Sequence, residues 1–290
     1  MIAPARILVT GGDGRLGKAL ARLGCAVASR EGIDITDTAQ IADAIARGKP
    51  AVLINAAAYT KVDAAESNRD IAHQVNALGA GRVARVAADA GIPLIHISTD
   101  MVFSGGAPDH PVDEDTAPVP ASVYGATKLE GEHLVAGAGG AHTIARVSWL
   151  FDRSAESFIS KILAIARTMD SLSLVADEFG RPTPVDALAG QLFALAGLFS
   201  AGTPPPQLLH LGPRTPVSRL DWARHIFEVS RRAGGPAPKL TPVPSSAFET
   251  PAPRPTGLVL DVSRAEALLG PMPDWQSESE AAVRALLENQ

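Results

Sequence analysis

Tyr124 stands four residues before Lys128, and Ser98-Thr99-Asp100 precedes them at the end of an apolar run. On a helix, positions i and i+4 share a face, so the phenol and the ammonium can sit side by side. An adjacent ammonium favours the phenolate and draws the phenol down from its ordinary value of about 10, toward the range useful for proton exchange near neutral pH. A hydroxyl delivered at a strand end, Thr99, completes a proton-transfer set. The chain has two Tyr and six Lys, and the competing explanation of the spacing is an ordinary exposed helix pair. Context has to decide between them.

The elements around these residues alternate between strand and helix. A β-branched run from Arg6 to Thr10 ends at Gly11-Gly12-Asp13-Gly14-Arg15-Leu16-Gly17, and a helical pattern follows to Leu23. Strand, glycine-rich turn and helix form the setting of a dinucleotide site, where free N–H groups and the helix dipole receive a pyrophosphate. The spacing is G-x-x-G-x-x-G, and a plain tight turn is the alternative. A second short strand, Ala26 to Ala28, leads into Ser29-Arg30 with no acid directly after it. Arg30 therefore favours a 2′-phosphate and NADPH, with NADH and a merely solvated arginine as the alternatives. Asp34 to Asp37 reads as a turn and N-cap before a helix over 39–47.

Farther along, a buried-strand run over 51–55 is followed by the small residues Ala56, Ala57 and Ala58, which permit close approach of a flat ligand. A 3.6-residue period predicts one helix over 68–90 that carries Asn76, a candidate support for a proton relay. The strand over 94–97 holds His96, read as a satisfied core residue, and delivers Thr99 at its carboxyl end. Another strand, 143–147, ends at Ser148-Trp149. Beyond it come helices over 157–167, 185–199, 218–232, 263–269 and 277–288, strands over 172–175 and 208–211, and a proline-rich stretch over 234–255. The order predicts an α/β fold: a Rossmann-type doubly wound parallel sheet with a smaller, interleaved C-terminal substrate lobe. Residues 1–150, joined by parts of 184–235, would form the nucleotide-binding domain, and 151–290 the smaller lobe, with the cleft between them.

Composition narrows the function class. Hydrophobic content of 46% with 20% charge describes an ordinary globular protein, and a net charge of −5 argues against a general nucleic-acid or anionic-membrane binder. The single cysteine, Cys25, excludes an intrachain disulfide and a cysteine-based metal cluster. No metal site is expected. With no leader pattern and no apolar run of spanning length, the expectation is a soluble cytoplasmic protein.

Taken in order, the blocks Thr10 to Gly17, Asp34 to Asp37, Asn55 to Glu66, Val75-Asn76, Ser98 to Gly105, Tyr124 to Glu132, Arg146 to Trp149, Asp177 to Thr183 and Pro253 to Pro255 resemble the extended short-chain dehydrogenase/reductases. Within that family the likeness is to reductases of 4-keto nucleotide-sugars. The resemblance implies that Tyr124 protonates the carbonyl oxygen, that Lys128 binds the nicotinamide ribose, and that Thr99 hydrogen-bonds the substrate oxygen. Gly11, Gly14, Arg15, Leu16 and Gly17 would wrap the pyrophosphate, Asp34 and Ile35 would flank the adenine, and Ala56, Ala57 and Ala58 would line the inner half of the cofactor. Thr60, Val62 and Trp149 match positions that meet the nucleotide-sugar. Met101 stands where the family usually has a substrate-binding tyrosine, and the 151–158 segment and Thr256-Gly257 also depart from the family pattern. The implied activity is NAD(P)H-dependent reduction of a 4-keto nucleotide-sugar. Another sugar or natural-product ketone, or a non-catalytic nucleotide-binding regulatory subunit, is the alternative. A homodimer is compatible with the pattern.

Overall fold

The computed structural model describes residues 2–154 and 157–288; Ala155 and Glu156, in the departing 151–158 segment, lie outside the described residues. Six strands, β1 (Ile7–Thr10), β2 (Ala26–Ala28), β3 (Val52–Asn55), β4 (Leu94–Thr99), β5 (His142–Val147) and β6 (Leu208–Leu211), form one sheet. Their order is β6-β5-β4-β3-β1-β2, with every neighbouring pair parallel. The chain enters at β1, moves out to β2, then crosses back to β3. The order reverses there, and a crevice opens at the carboxyl ends of β1 and β3, as in doubly wound sheets generally.

The main helices are α1 (Arg15–Arg22), α2 (Thr38–Gly48), α3 (Ala80–Asp89), α4 (Val123–Ala136), α5 (Phe158–Ala166), α6 (Val185–Ser200), α7 (Arg219–Arg232) and α8 (Trp275–Glu288). Strands buried on both faces need near-continuous apolar runs, and β1 and β3 supply them. One face of the sheet packs Val9, Ile54, Ile95 and Leu209 against α1 and α6, whose Leu20, Leu188 and Leu192 are fully buried. The other packs Leu53, Leu94 and Ile144 against α2 and α3 through Ile41, Ile45 and Val83. A second hydrophobic cluster gathers Phe151, α5, α7 and α8 around Trp222 and Trp275. Short pairings such as Ser171–Val175 with Lys239–Val243 edge this part, and Arg181 stitches it together by donating to the carbonyls of Leu260 and Pro213.

The expected single helix over 68–90 is broken in character. Arg69–His73 passes into Gln74–Gly79, which takes π pairing, before α3 begins. Such bulges free a position for a local task. Here Asn76 accepts from the Tyr59 N–H at 2.8 Å, and donates to the Tyr59 carbonyl and to Thr127 Oγ1. It braces the 56–60 loop against α4. Asp37 caps α2 by accepting from Ala39 and Gln40, as its place in the sequence predicts.

A buried charge cluster ties α4 to the sheet. Glu132 on α4 accepts from Ser98 Oγ on β4 and from Nε and Nη2 of Arg146 on β5, the latter at 2.6 Å. Both partners of this ion pair are almost fully buried. Removing one partner of such a pair leaves a desolvated charge, which typically costs about 3–5 kcal/mol. Glu132→Ala should therefore lower the unfolding free energy in urea by about that amount, more than Glu132→Ala paired with Arg146→Leu. A loss from Arg146→Leu that is the same in the parent and in the Glu132→Ala background would show that the pair is not coupled.

Candidate active site

At the end of β1 the backbone turns at Gly11, whose φ of +75° suits glycine. A Cβ placed on Gly17 would lie 2.4 Å from the Gly11 carbonyl oxygen, so α1 docks on the turn only because that position has no side chain. The N-cap of α1, Gly14, offers no side-chain hydrogen bond to the first-turn amides. Those N–H groups are left for an anion, and the helix dipole adds to the attraction. The cradle fits a dinucleotide pyrophosphate.

From this cradle a cavity of about 570 Å3 runs across the carboxyl edge of the sheet to Trp149 and α7. Its wall contains Gly11, Gly14, Arg15, Leu16 and Gly17, then Ala56, Ala58, Thr60 and Val62, then Thr99, Met101, Tyr124, Lys128 and Trp149. Three expected cofactor positions and Ala57 lie elsewhere. Ala57 packs against the sheet core. Ile35 is a core side chain between α2 and α3, not a free apolar surface for a base. Arg30 is exposed, pairs with Asp34 at 3.3 Å, and borders a shallow cleft with Asp13, Ser29, Glu31 and Gln40. The strand is followed by no immediate acid, yet Asp34 pairs with the arginine and Asp13 and Glu31 line the same cleft. Asp34 is held below the usual carboxylate range chiefly by hydrogen bonds from Thr36, with Arg30 assisting.

The proton-transfer residues converge as their spacing suggests. Ser122 caps α4 by accepting from Gly125 N–H, and a Cβ on Gly125 would lie 2.1 Å from the Met101 carbonyl oxygen. Glycine at this place lets the start of α4 press against the turn after β4, which sets Tyr124 beside Thr99. Thr99 Oγ1 donates to Asp100 Oδ1 at 3.0 Å and accepts from Met101 N–H. Tyr124 is pushed up to about 12, chiefly by burial; the Thr99 hydroxyl pulls the other way and Asp100 adds to the rise. Lys128 is pushed down to about 8 by burial, against the pull of Glu132.

One expectation is corrected here. Lys128 does not lower the phenol in this state of the site. Its Nζ turns away to donate to the Ile97 carbonyl at 2.6 Å and lies 3.4 Å from His96 Nε2. Desolvation of the phenol then outweighs every nearby charge. His96 is fully buried and bonded to Asn55, as expected of a satisfied core residue, and it stands directly behind Lys128.

The far end of the cavity was largely unread from sequence. Trp149 has a φ of +46°, an uncommon backbone for a bulky residue, and its ring lies 3.5 Å under the Arg219 guanidinium carbon. Trp149 and Trp222 stack at 5.9 Å between centroids. Arg219 also approaches Glu178 at 3.6 Å, and burial pushes it down to about 10. Lys161, Phe158 and Arg254 complete this wall, Arg254 bonding Asp63 at 2.9 Å. Arg254 and Glu178 fall within the sequence blocks that carry the family resemblance, which assigns neither a role. Arg219 opens α7 and carried no signal. Among the described residues, no group of three His, Cys, Asp or Glu side chains is arranged to hold a metal ion.

Comparison with known proteins agrees with this geometry. The family model described as RmlD substrate binding domain matches residues 5–288. A dTDP-4-dehydrorhamnose reductase of Sinorhizobium fredii is 35% identical over 291 residues, spanning 97% of this chain and 98% of that one. A solved dTDP-4-dehydrorhamnose reductase of Clostridium acetobutylicum superposes with a TM-score of 0.84 at 29% identity, covering 98% of both chains. Another, from Bacillus anthracis and solved in complex with NADP, has the same score and identity and covers 98% of this chain and 99% of its own. With the glycine cradle, the Thr99–Tyr124–Lys128 set and these relatives in agreement, the chain belongs to the RmlD substrate binding domain family, within the extended short-chain dehydrogenase/reductases.

Proposed function

We propose that the protein reduces dTDP-4-dehydrorhamnose to dTDP-L-rhamnose with NADPH, NADH being the alternative donor. The observation that carries this reading is the continuity of the cavity from the Gly11–Gly17 cradle past Thr99, Tyr124 and Lys128 to Trp149. The Sinorhizobium fredii relative is named a dTDP-4-dehydrorhamnose reductase, and the Bacillus anthracis protein of the same name was solved with NADP. The chain would divide in two for this task. The sheet and the helices packed on it hold the dinucleotide, and the cluster around Trp222 supplies the sugar side.

The residues present fit the cofactor. Gly11, Gly14, Arg15, Leu16 and Gly17 would receive the pyrophosphate, Ala56 and Ala58 the inner half, and Arg30 with Asp34 the adenosine end. When bound, the nicotinamide supplies the hydride. The protein supplies position and the proton. A phenol held near 12 stays protonated at neutral pH, which suits Tyr124 as the acid toward the carbonyl oxygen. Thr99 would hold that same oxygen by its hydroxyl. Lys128, titrating near 8, is the group able to restore the proton. Arg219, Lys161 and Arg254 place positive charge where a sugar diphosphate would lie, and Thr60, Val62 and Met101 line its path.

A second reading keeps the chemistry and changes the ketone. Met101 offers no hydroxyl where the family usually has tyrosine, and Arg219 brings a buried cation close to the sugar subsite. Purified protein with NADPH and dTDP-4-dehydrorhamnose should lose absorbance at the reduced-nicotinamide band. NADPH binding without turnover of that sugar would favour the second reading. Tyr124→Phe should lower kcat by roughly 10²–10⁴-fold with little change in KM. A variant as fast as the parent would remove Tyr124 from the mechanism.

The pH dependence has a definite sign. Reduction consumes a proton, and protonated Lys128 is depleted as pH rises through about 8. The rate should therefore fall above that pH, and a flat profile from pH 6 to 10 would exclude Lys128 from proton supply. For the adenosine end, Arg30→Ala should raise the KM for NADPH more than that for NADH. Equal effects on both would show that Arg30 reads no 2′-phosphate.

A further inference from the structure

Behind Lys128 lies a buried chain of polar groups that crosses three strands. Thr10 Oγ1 on β1 donates to Asn55 Oδ1 on β3 at 2.7 Å, and the Ala57 backbone N–H donates to the same oxygen at 3.2 Å. A backbone N–H can only donate, so the Asn55 amide has one allowed orientation and its NH₂ must face His96. Asn55 Nδ2 lies 3.1 Å from His96 Nδ1, which is then an acceptor. A neutral imidazole with Nδ1 accepting carries its proton on Nε2. That nitrogen lies 3.4 Å from Lys128 Nζ.

We propose that His96, locked in the Nε2–H tautomer by Asn55 and Thr10, is a positioning residue for Lys128: its N–H faces the amine, opposes the ammonium and favours the uncharged form. An uncharged Lys128 matches both neighbours, donating to the Ile97 carbonyl and accepting from His96. An ammonium has no lone pair and meets a donor. The effect is to keep the Lys128 proton loosely held, so that it can be given up and regained in each turnover. This rests on the reading of Lys128 as a proton supplier.

Other groups around the pair act in known directions. Glu132, on the same helix and paired with Arg146 of β5, favours the ammonium. Asp100, after β4, and Tyr124 line the same cavity. His142 on β5 and Lys128 both disfavour a charged His96, and burial does so most of all. His73 pairs with Glu130 at the surface of α4. None of these groups fixes the ring tautomer; the Ala57 amide does, through Asn55.

The test needs neither cofactor nor sugar, so its failure is separable from failure of the proposed activity. Long-range proton–nitrogen correlation of the histidine rings in the parent protein should show His96 neutral, with its proton on Nε2, from pH 6 to 9. A proton on Nδ1, or a charged ring, overturns the proposal. In protein labelled at lysine Cε, Lys128 is assigned by the signal lost in Lys128→Met, and its titration is followed directly. His96→Phe removes the opposing N–H and should move that titration upward by about one pH unit. Burial alone predicts no change or a downward move, and either result refutes the proposal. Should His96→Phe not fold, Asn55→Asp serves. Its carboxylate should draw the ring proton to Nδ1 and also raise the Lys128 titration, and an unmoved ring proton counts against the mechanism.

Discussion

The site depends on a helix being held by charge to the sheet it crosses. Glu132 binds Ser98 of β4 and Arg146 of β5 inside the protein, where neither charge could stand alone. Unlike a hydrophobic contact, this pair cannot slide along the strands without leaving a desolvated ion. It fixes the register of α4 against the carboxyl end of β4. Tyr124 and Lys128 on the same helix, and Thr99 on the same strand, inherit that register. The close approach at Gly125 then sets the remaining distance.

Burial, more than pairing, governs the electrostatics that result. The phenol rises and the amine falls because both are removed from water, while the charges nearby act as smaller corrections. A simple pair picture, ammonium beside phenol, predicts the opposite direction for Tyr124. The difference arises because Lys128 finds an acceptor behind itself, the Ile97 carbonyl, and turns toward it with His96 alongside. A high phenol and a low amine still make a serviceable proton supply: one group stays protonated and the other exchanges.

Much of the nucleotide side was legible in the residues. The Gly11–Gly17 turn, the alanines after β3 and the strand-end Thr99 belong to local patterns of strand, turn and helix, and local patterns survive in sequence. The substrate side was not. Arg219, Trp222 and Phe158 meet Trp149 through a cluster assembled from α5, α7 and the end of β5. No periodicity records which helices share a cavity. The same holds for Arg30 in one respect: Asp13, which accepts from its backbone N–H, comes from the turn after β1.

By itself the sequence determined the element types, the glycine cradle and the spacing that puts Tyr124 and Lys128 on one helical face, because each follows from dihedral freedom and helical period within a few residues. Tertiary structure alone decided how those groups behave. The direction of the Tyr124 shift, the turn of Lys128 toward Ile97, the braced role of Asn76 and the tautomer of His96 all depend on partners far away in the chain. Such partners set the local dielectric and the available acceptors, and these exist only once the strands and helices are packed.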